Sequence, residues 1–207
     1  METNKPTSLS RRSAIGGMGA AMALPLVGPT ISPTAKPVEG KVALVTGSGR
    51  NLGRAAVLEL ARRGADVVVN ARSNREEAEA VAGEAEALGV RAIALLADVG
   101  NEQQVNQMVA EALGTFGRID ILINNAGFRG SSSIAEMSTD EWRAAAAVNY
   151  DGPFFCTRAV VPTMISNGYG RIITVSGLNS FHGRPNWSHV CGSKMGAMGM
   201  TKALAVE

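Results

Sequence analysis

From Gly40 onward, short β-branched apolar runs alternate with longer segments in which apolar residues recur every three or four positions. The runs at 41–46, 66–70, 91–96, 119–124 and 171–176 predict strands. The segments at 53–63, 75–88, 102–116, 138–166 and 188–207 predict helices, the fourth broken near Gly152-Pro153. The strand centres, Val42-Ala43-Leu44-Val45, Val67-Val68-Val69 and Ile121-Leu122-Ile123, are continuously apolar. That is the pattern of strands covered on both faces, as in parallel sheets. Regular strand–helix–strand repetition therefore predicts an α/β fold: a doubly wound parallel sheet with right-handed crossovers, in a single domain over residues 36–207.

Composition agrees with this picture and narrows the chemistry. At 207 residues and 45% hydrophobic the chain has enough apolar material for one core, and 24 glycines against nine aromatics favour tight turns around small aliphatic side chains. A net charge of +2 gives no surface for nucleic acid. Two cysteines, Cys156 and Cys191, make at most one bridge, and two histidines without metal-ligand spacing predict no metal site.

Residues 1–35 are a different kind of sequence. Arg11-Arg12 precede a mildly apolar stretch from Ser13 to Leu26, followed by a Pro/Thr/Ser segment ending at Ala35. Charged start, short apolar middle and small-residue end resemble a twin-arginine export signal, which implies an exported, periplasmic protein. Without that role for the extension, the protein is expected in the cytoplasm. Pro25, Pro29 and the interspersed glycines argue against a stable membrane span.

The first strand runs into Thr46-Gly47-Ser48-Gly49-Arg50-Asn51-Leu52-Gly53, and a helical pattern begins at once. A strand, a glycine turn and a helix N-terminus in that order aim backbone N–H groups and the positive end of a helix dipole at a phosphate. Further on stand Asp98-Val99 after the third strand and Asn124-Asn125-Ala126-Gly127 after the fourth. Together these resemble the short-chain dehydrogenase/reductase family, nearest to its 3-oxoacyl-carrier-protein reductase type, over about residues 38–207. The resemblance implies a Rossmann-like fold and an NAD(P)-dependent oxidoreductase acting on a small-molecule carbonyl or secondary alcohol. It further implies that Gly47, Gly49, Arg50, Leu52 and Gly53 line the pyrophosphate and ribose, that Asp98 and Val99 hold the adenine, and that Asn125, Ala126 and Gly127 line the nicotinamide side. Asn51 stands where the family has its middle glycine. Asparagine tolerates positive φ better than most residues, so the turn is expected to survive.

The second strand ends in Asn70-Ala71-Arg72-Ser73, with no acid to accept from a ribose 2′-hydroxyl. Arg72 and Arg50 suit a 2′-phosphate, so NADP is expected over NAD, with NAD the alternative. In the family a Ser and a Tyr hold the substrate oxygen, a Lys four residues later supports the Tyr, and an Asn on the preceding long helix completes a proton relay. Asn149 and Lys194 match the Asn and Lys. The Ser and Tyr positions fall on Gly177 and Val190.

Neither replacement can donate a proton. His189 is the candidate substitute acid if the helix starts after it; Ser176 is another only if its strand has ended. The helical pattern still runs at Glu207, which suggests a chain lacking the family's last strands and leaving 171–176 as an apolar edge. The alternative function is a nucleotide-binding protein of the same fold with little or no hydride transfer, and the long helices are candidate faces for a homo-oligomer.

Overall fold

The computed structural model describes residues 36–207; the proposed export signal at 1–35 lies outside them. The apolar runs form five parallel strands: β1 (Val42–Val45), β2 (Asp66–Ala71), β3 (Ala92–Leu96), β4 (Ile121–Asn124) and β5 (Arg171–Thr174). They form one sheet in the order β3-β2-β1-β4-β5. The order reverses at β1, and the strand pairs Ala43↔Ile121 and Val42↔Asp66 fix the register on either side. The switch point lies between β1 and β4, where doubly wound sheets open a crevice at the carboxyl ends of their strands.

Period-two alternation along β1 builds both halves of the core. Val42 and Leu44 join Leu122, Val105, Val109 and Val160 on one face. Ala43 and Val45 join Val57, Val67, Val69 and Val81 on the other. The second face is covered by α1 (Asn51–Arg62) and α2 (Arg75–Glu86), the first by α3 (Glu102–Phe116) and α5 (Gly152–Ser166). α4 (Thr139–Ala146), α6 (Leu178–His182) and α7 (Ser188–Leu204) complete the set. No helix of the described residues is long and apolar enough to cross a membrane.

Caps explain most boundaries. Asn74, Asn101 and Ser138 accept from the third residue of α2, α3 and α4, and Ser138 with Glu141 forms a reciprocal capping box. α3 ends at Gly117, held at φ 74°. The expected break near Gly152-Pro153 is not there: α4 runs into α5 through a π turn, Ala147–Asp151. Pro153 has no N–H for the carbonyl of Asn149, and a widened turn absorbs the missing bond without interrupting the axis. The last helix stops at Leu204, short of the predicted end. The five-residue α6 follows from no pattern in the chain.

Strand β5 is the apolar edge expected of 171–176. Among the described residues it pairs with β4 alone, its residues alternate between exposed and half-buried, and Ile173 is 50% exposed. At the amino end of the sheet, the fully buried Asp120 ties three strands together. Its carboxylate accepts from Val42 N (3.0 Å) and from Arg118 Nε (2.7 Å) and lies 3.8 Å from Lys41 Nζ, while its carbonyl accepts from Arg171 N (2.9 Å).

Candidate functional site

The carboxyl end of β1 is held by three buried polar residues, Thr46, Ser48 and Asn70, and by the half-buried Asn125. Thr46 Oγ1 accepts from the backbone N–H groups of Asn125 and Ala126, both at 3.0 Å, which locks the segment after β4 to the turn after β1. Asn125 Nδ2 returns two bonds, to the carbonyls of Thr46 (2.9 Å) and Gly47 (3.0 Å). Its Nδ2 is therefore committed inside the protein, and Asn125 positions the turn. Ala126 is likewise packed against the turn: a Cβ on Gly47 would lie 2.9 Å from its Cα.

On the other side Asn70, 1% exposed, threads β1, β2 and β3. Its Oδ1 accepts from Gly47 N (3.0 Å), and its Nδ2 donates to the carbonyls of Leu95 (3.3 Å) and Ala97 (3.2 Å). Ser48 Oγ donates to Val45 O (2.7 Å) and accepts from Asn70 N (3.0 Å). Asn70 and Ser48 went unrecognised in the sequence; the available signal was a polar residue closing an otherwise apolar strand.

These bonds hold the turn in a shape only certain residues permit. Gly47 sits at φ 60° and Asn51 at φ 51°, the left-handed region that asparagine tolerates, so the substituted middle position does not prevent the turn. Gly53 is required by space: a Cβ there would meet Gly47 O at 2.5 Å and Asn125 Nδ2 at 2.6 Å. Gly49 is less constrained, with 3.4 Å to Glu77 Cβ.

Unlike α2, α3 and α4, α1 has neither a side-chain cap nor an acid in its first turn. Its first N–H groups and its dipole are therefore available to an anion, which fits a nucleotide pyrophosphate. Leu52 is 62% exposed beside them. Arg50 and Arg72 are both exposed and pair with no carboxylate among the described residues. Asp98 Oδ1 accepts from Gly100 N (2.9 Å), closing the β3–α3 turn. Val99 is 5% exposed and faces inward, where a Cβ on Gly152 would lie 2.9 Å from its Cγ2, so only its backbone can face an adenine.

The expected catalytic positions converge on Gly127, which is exposed. A Cβ there would be 3.5 Å from both Asn149 Oδ1 and Lys194 Nζ. Asn149, on the π turn, spends its amide on Phe128: Oδ1 accepts from the Phe128 N–H (2.8 Å) and Nδ2 donates to the Phe128 carbonyl (3.1 Å). Lys194 Nζ donates to Val175 O (3.0 Å). Burial, aided by the charge of Arg129, holds the Lys194 amine below its ordinary pKa.

One turn earlier on α7, Val190 is 2% exposed. Gly177 is extended (φ −153°, ψ 149°), and a Cβ there would meet nothing within 4 Å. β5 ends at Thr174, so Ser176 lies beyond the strand, and its buried hydroxyl has no partner.

The condition placed on His189 is not met, because α7 begins at Ser188 and includes it. The imidazole is instead buried, 2% exposed, edge-on to Phe128 with ring centroids 6.2 Å apart. Its Nδ1 has no partner, and a Cβ on Gly130 would sit 3.1 Å from its Nε2. Ser193 Oγ is turned back onto the helix, donating to His189 O (2.6 Å), and is not available as a donor to substrate. Cys156 is sealed in the core, where burial pushes its thiol up to about 12.

A parallel sheet with its switch point beside a glycine turn and an uncapped helix defines a dinucleotide-binding α/β protein. A family profile described as short chain dehydrogenase matches residues 41–207. A 3-oxoacyl-(acyl-carrier-protein) reductase of Synechocystis is 39% identical over 167 residues, covering 81% of this chain and 68% of that protein. A hydroxy(phenyl)methyl-succinyl-CoA dehydrogenase subunit of Thauera aromatica is 37% identical over 170 residues, covering 82% of this chain and 68% of that protein. The crystal structure of an NAD+-bound xylitol dehydrogenase superposes with a TM-score of 0.78 at 33% identity, covering 82% of this chain and 65% of that one. The chain belongs to the short-chain dehydrogenase family.

Proposed function

We propose that the protein is an NADP-preferring oxidoreductase that interconverts a small carbonyl compound and a secondary alcohol. The observation that carries this reading is the convergence of Lys194 and Asn149 on Gly127, beside a glycine turn whose geometry is fixed by Thr46, Asn70 and Asn125. When bound, the reduced nicotinamide nucleotide supplies the hydride. The free first turn of α1 takes the pyrophosphate, and Arg50 and Arg72, with no acid at the end of β2, take the 2′-phosphate. Lys194 holds ribose hydroxyls through its ammonium, and Asn149 fixes the Phe128 backbone over the crevice. With Val190 at the position of the family's acid and the His189 imidazole buried behind Phe128, the proton comes from water, or from that imidazole once the loop carrying Phe128 is displaced.

A second reading, nucleotide binding without hydride transfer, is favoured by Gly177 and Val190. Loss of a general acid alone costs about 10²–10⁴ in rate. NADPH-dependent reduction across a ketone panel separates the two: bound nucleotide with no turnover sinks the enzyme reading. Within the first reading, His189→Ala abolishes activity if the imidazole is the acid, and unchanged turnover leaves water. Residues 1–35 are proposed as a twin-arginine-type signal that delivers the folded protein to the periplasm, and the long helices as a homo-oligomer face. Fusion of residues 1–35 to a reporter that matures only after export checks the signal, and Arg11→Lys with Arg12→Lys is expected to retain the reporter in the cytoplasm.

A further inference from the structure

A cavity of about 320 Å³ lies between the loop after β4 and the connection from α6 to α7, walled by Ser133, Ile134, Arg184, Asn186, Ser188 and Cys191. The two walls are joined by a backbone bond from Ser132 N to Asn186 O (3.0 Å). Cys191 is three residues before Lys194 on α7, hence on the same face and about one turn nearer the helix start. The Cys191 thiol turns toward the Asn179 carbonyl (3.2 Å), and the cavity shares its two walls with the site: the loop that carries Gly127 and Phe128, and the helix that carries Lys194.

The charges around it are unequal in their commitments. The Arg184 guanidinium lies 4.1 Å from the centroid of the Trp187 ring, which supports its flat face and leaves its N–H edge free. Arg184 pairs with no carboxylate among the described residues. The nearby acids are engaged: Glu136 accepts from Ser133 Oγ (2.8 Å), and Glu141 closes the capping box with Ser138. An exposed planar fork with no internal partner, at the rim of a cavity between the loop that carries Gly127 and the helix that carries Lys194, suits a carboxylate.

We infer that the substrate carries a carboxylate, held by Arg184, at the end of a short hydrocarbon chain that contacts Ile134 and Cys191. This rests on the oxidoreductase reading for its meaning but not for its test, which reads binding alone. 4-Oxopentanoate and its methyl ester are titrated calorimetrically into the protein, with and without NADPH. The acid is expected to bind about tenfold more tightly than the ester, as one charge-assisted pair provides. Arg184→Gln is expected to bring the ratio to about one, since that pair is the whole of the difference, with NADPH affinity unchanged. Equal binding of acid and ester by the native protein overturns the inference, as does a preference that survives Arg184→Gln. Inorganic phosphate binding at Arg184 more tightly than the oxo acid reassigns the site to phosphate and overturns the carboxylate. Arg184-dependent preference without turnover leaves this inference standing and sinks the proposed reaction. Turnover of neutral ketones with no Arg184 effect does the reverse.

Discussion

Two glycines inside helices test whether the turn after β1 is as tightly built as its contacts indicate. A methyl group on Gly53 would stand 2.5 Å from Gly47 O, 2.6 Å from Asn125 Nδ2 and 2.7 Å from Ser48 Cα. Two of these atoms are backbone, and the third belongs to an amide that already makes two hydrogen bonds, so none can move without breaking the clamp. Overpacking of this kind costs about 1–3 kcal/mol, and three contacts this short put the cost near 3. Removing a helical glycine returns up to about 1 kcal/mol. Gly53→Ala is therefore expected to lose about 2 kcal/mol, lowering Tm by roughly 4–8 °C for a domain of this size. Gly83 in α2 has nothing within 4 Å of its Cβ position. Gly83→Ala should gain about 1 kcal/mol, raising Tm by roughly 2–4 °C. Denaturant melts of both variants with and without NADPH measure the two effects together. The Gly53 variant should also lose most of the stabilisation of about 2.7 kcal/mol that ligand at a hundredfold its Kd confers. A Gly53→Ala protein as stable as the parent, or one retaining the full nucleotide shift, refutes the steric account of the turn.

Three further outcomes follow from the geometry. Asp120→Ala leaves Val42 N–H without its partner and Arg118 without its carboxylate, and should cost about 3 kcal/mol in a denaturant melt; a loss below about 1 kcal/mol would show the cluster to be solvated, since exposed pairs contribute no more than that. Lys194 titrates below its ordinary value because it is buried and faces Arg129. The unfolded chain therefore holds this proton to higher pH than the folded one, and the native protein gains stability as pH rises from the lowered pKa toward 10.5. Lys194→Met removes that slope, so the stability difference between the two proteins should shift steadily over this window, and parallel pH–stability curves would contradict it. Gly177→Ser with Val190→Tyr restores both hydroxyls to a site whose Lys and Asn are in place, and should raise NADPH-dependent ketone reduction by about 10²-fold or more. No gain in the double variant means the remaining geometry is not competent.

The parts of the fold that were legible from sequence are those set by local periodicity. The predicted 102–116 helix coincides with α3, because asparagine at one end and glycine at the other cap a regular apolar stripe. The π turn was not legible: over five residues a widened turn displaces side chains too little for apolar spacing to distinguish it from a break, and Gly152-Pro153 argued for a break. The half-exposed β5 was expected as an edge from the family resemblance and not from its own residues, since Arg171-Ile172-Ile173-Thr174 is as apolar at its centre as the buried strands. Burial there depends on which strands pair, and sequence period carries no information about pairing.

The site divides along the same line. Motif spacing located Gly47, Gly53, Asn149 and Lys194 because each is tied to the end of a strand or to a helical turn. Asn70 escaped notice because its bonding partners, Gly47, Leu95 and Ala97, are about 25 residues away in either direction and become neighbours only when β1, β2 and β3 align. The burial of His189 was not legible for a related reason. Helical geometry alone points it away from the face of Val190 and Lys194, yet it is buried because the loop carrying Phe128 and Gly130 closes over it. Asn149 holds that loop by both polar groups of the Phe128 backbone. An asparagine matched to a proton relay by its position is, in this chain, also the residue that decides whether His189 is covered. Any effect of Asn149 on turnover therefore passes through the placement of Phe128, and Asn149→Ala should uncover the imidazole as well as remove an amide. The rate of His189 ethoxycarbonylation by diethyl pyrocarbonate reads that uncovering directly, and an unchanged rate in Asn149→Ala would separate the asparagine from the loop.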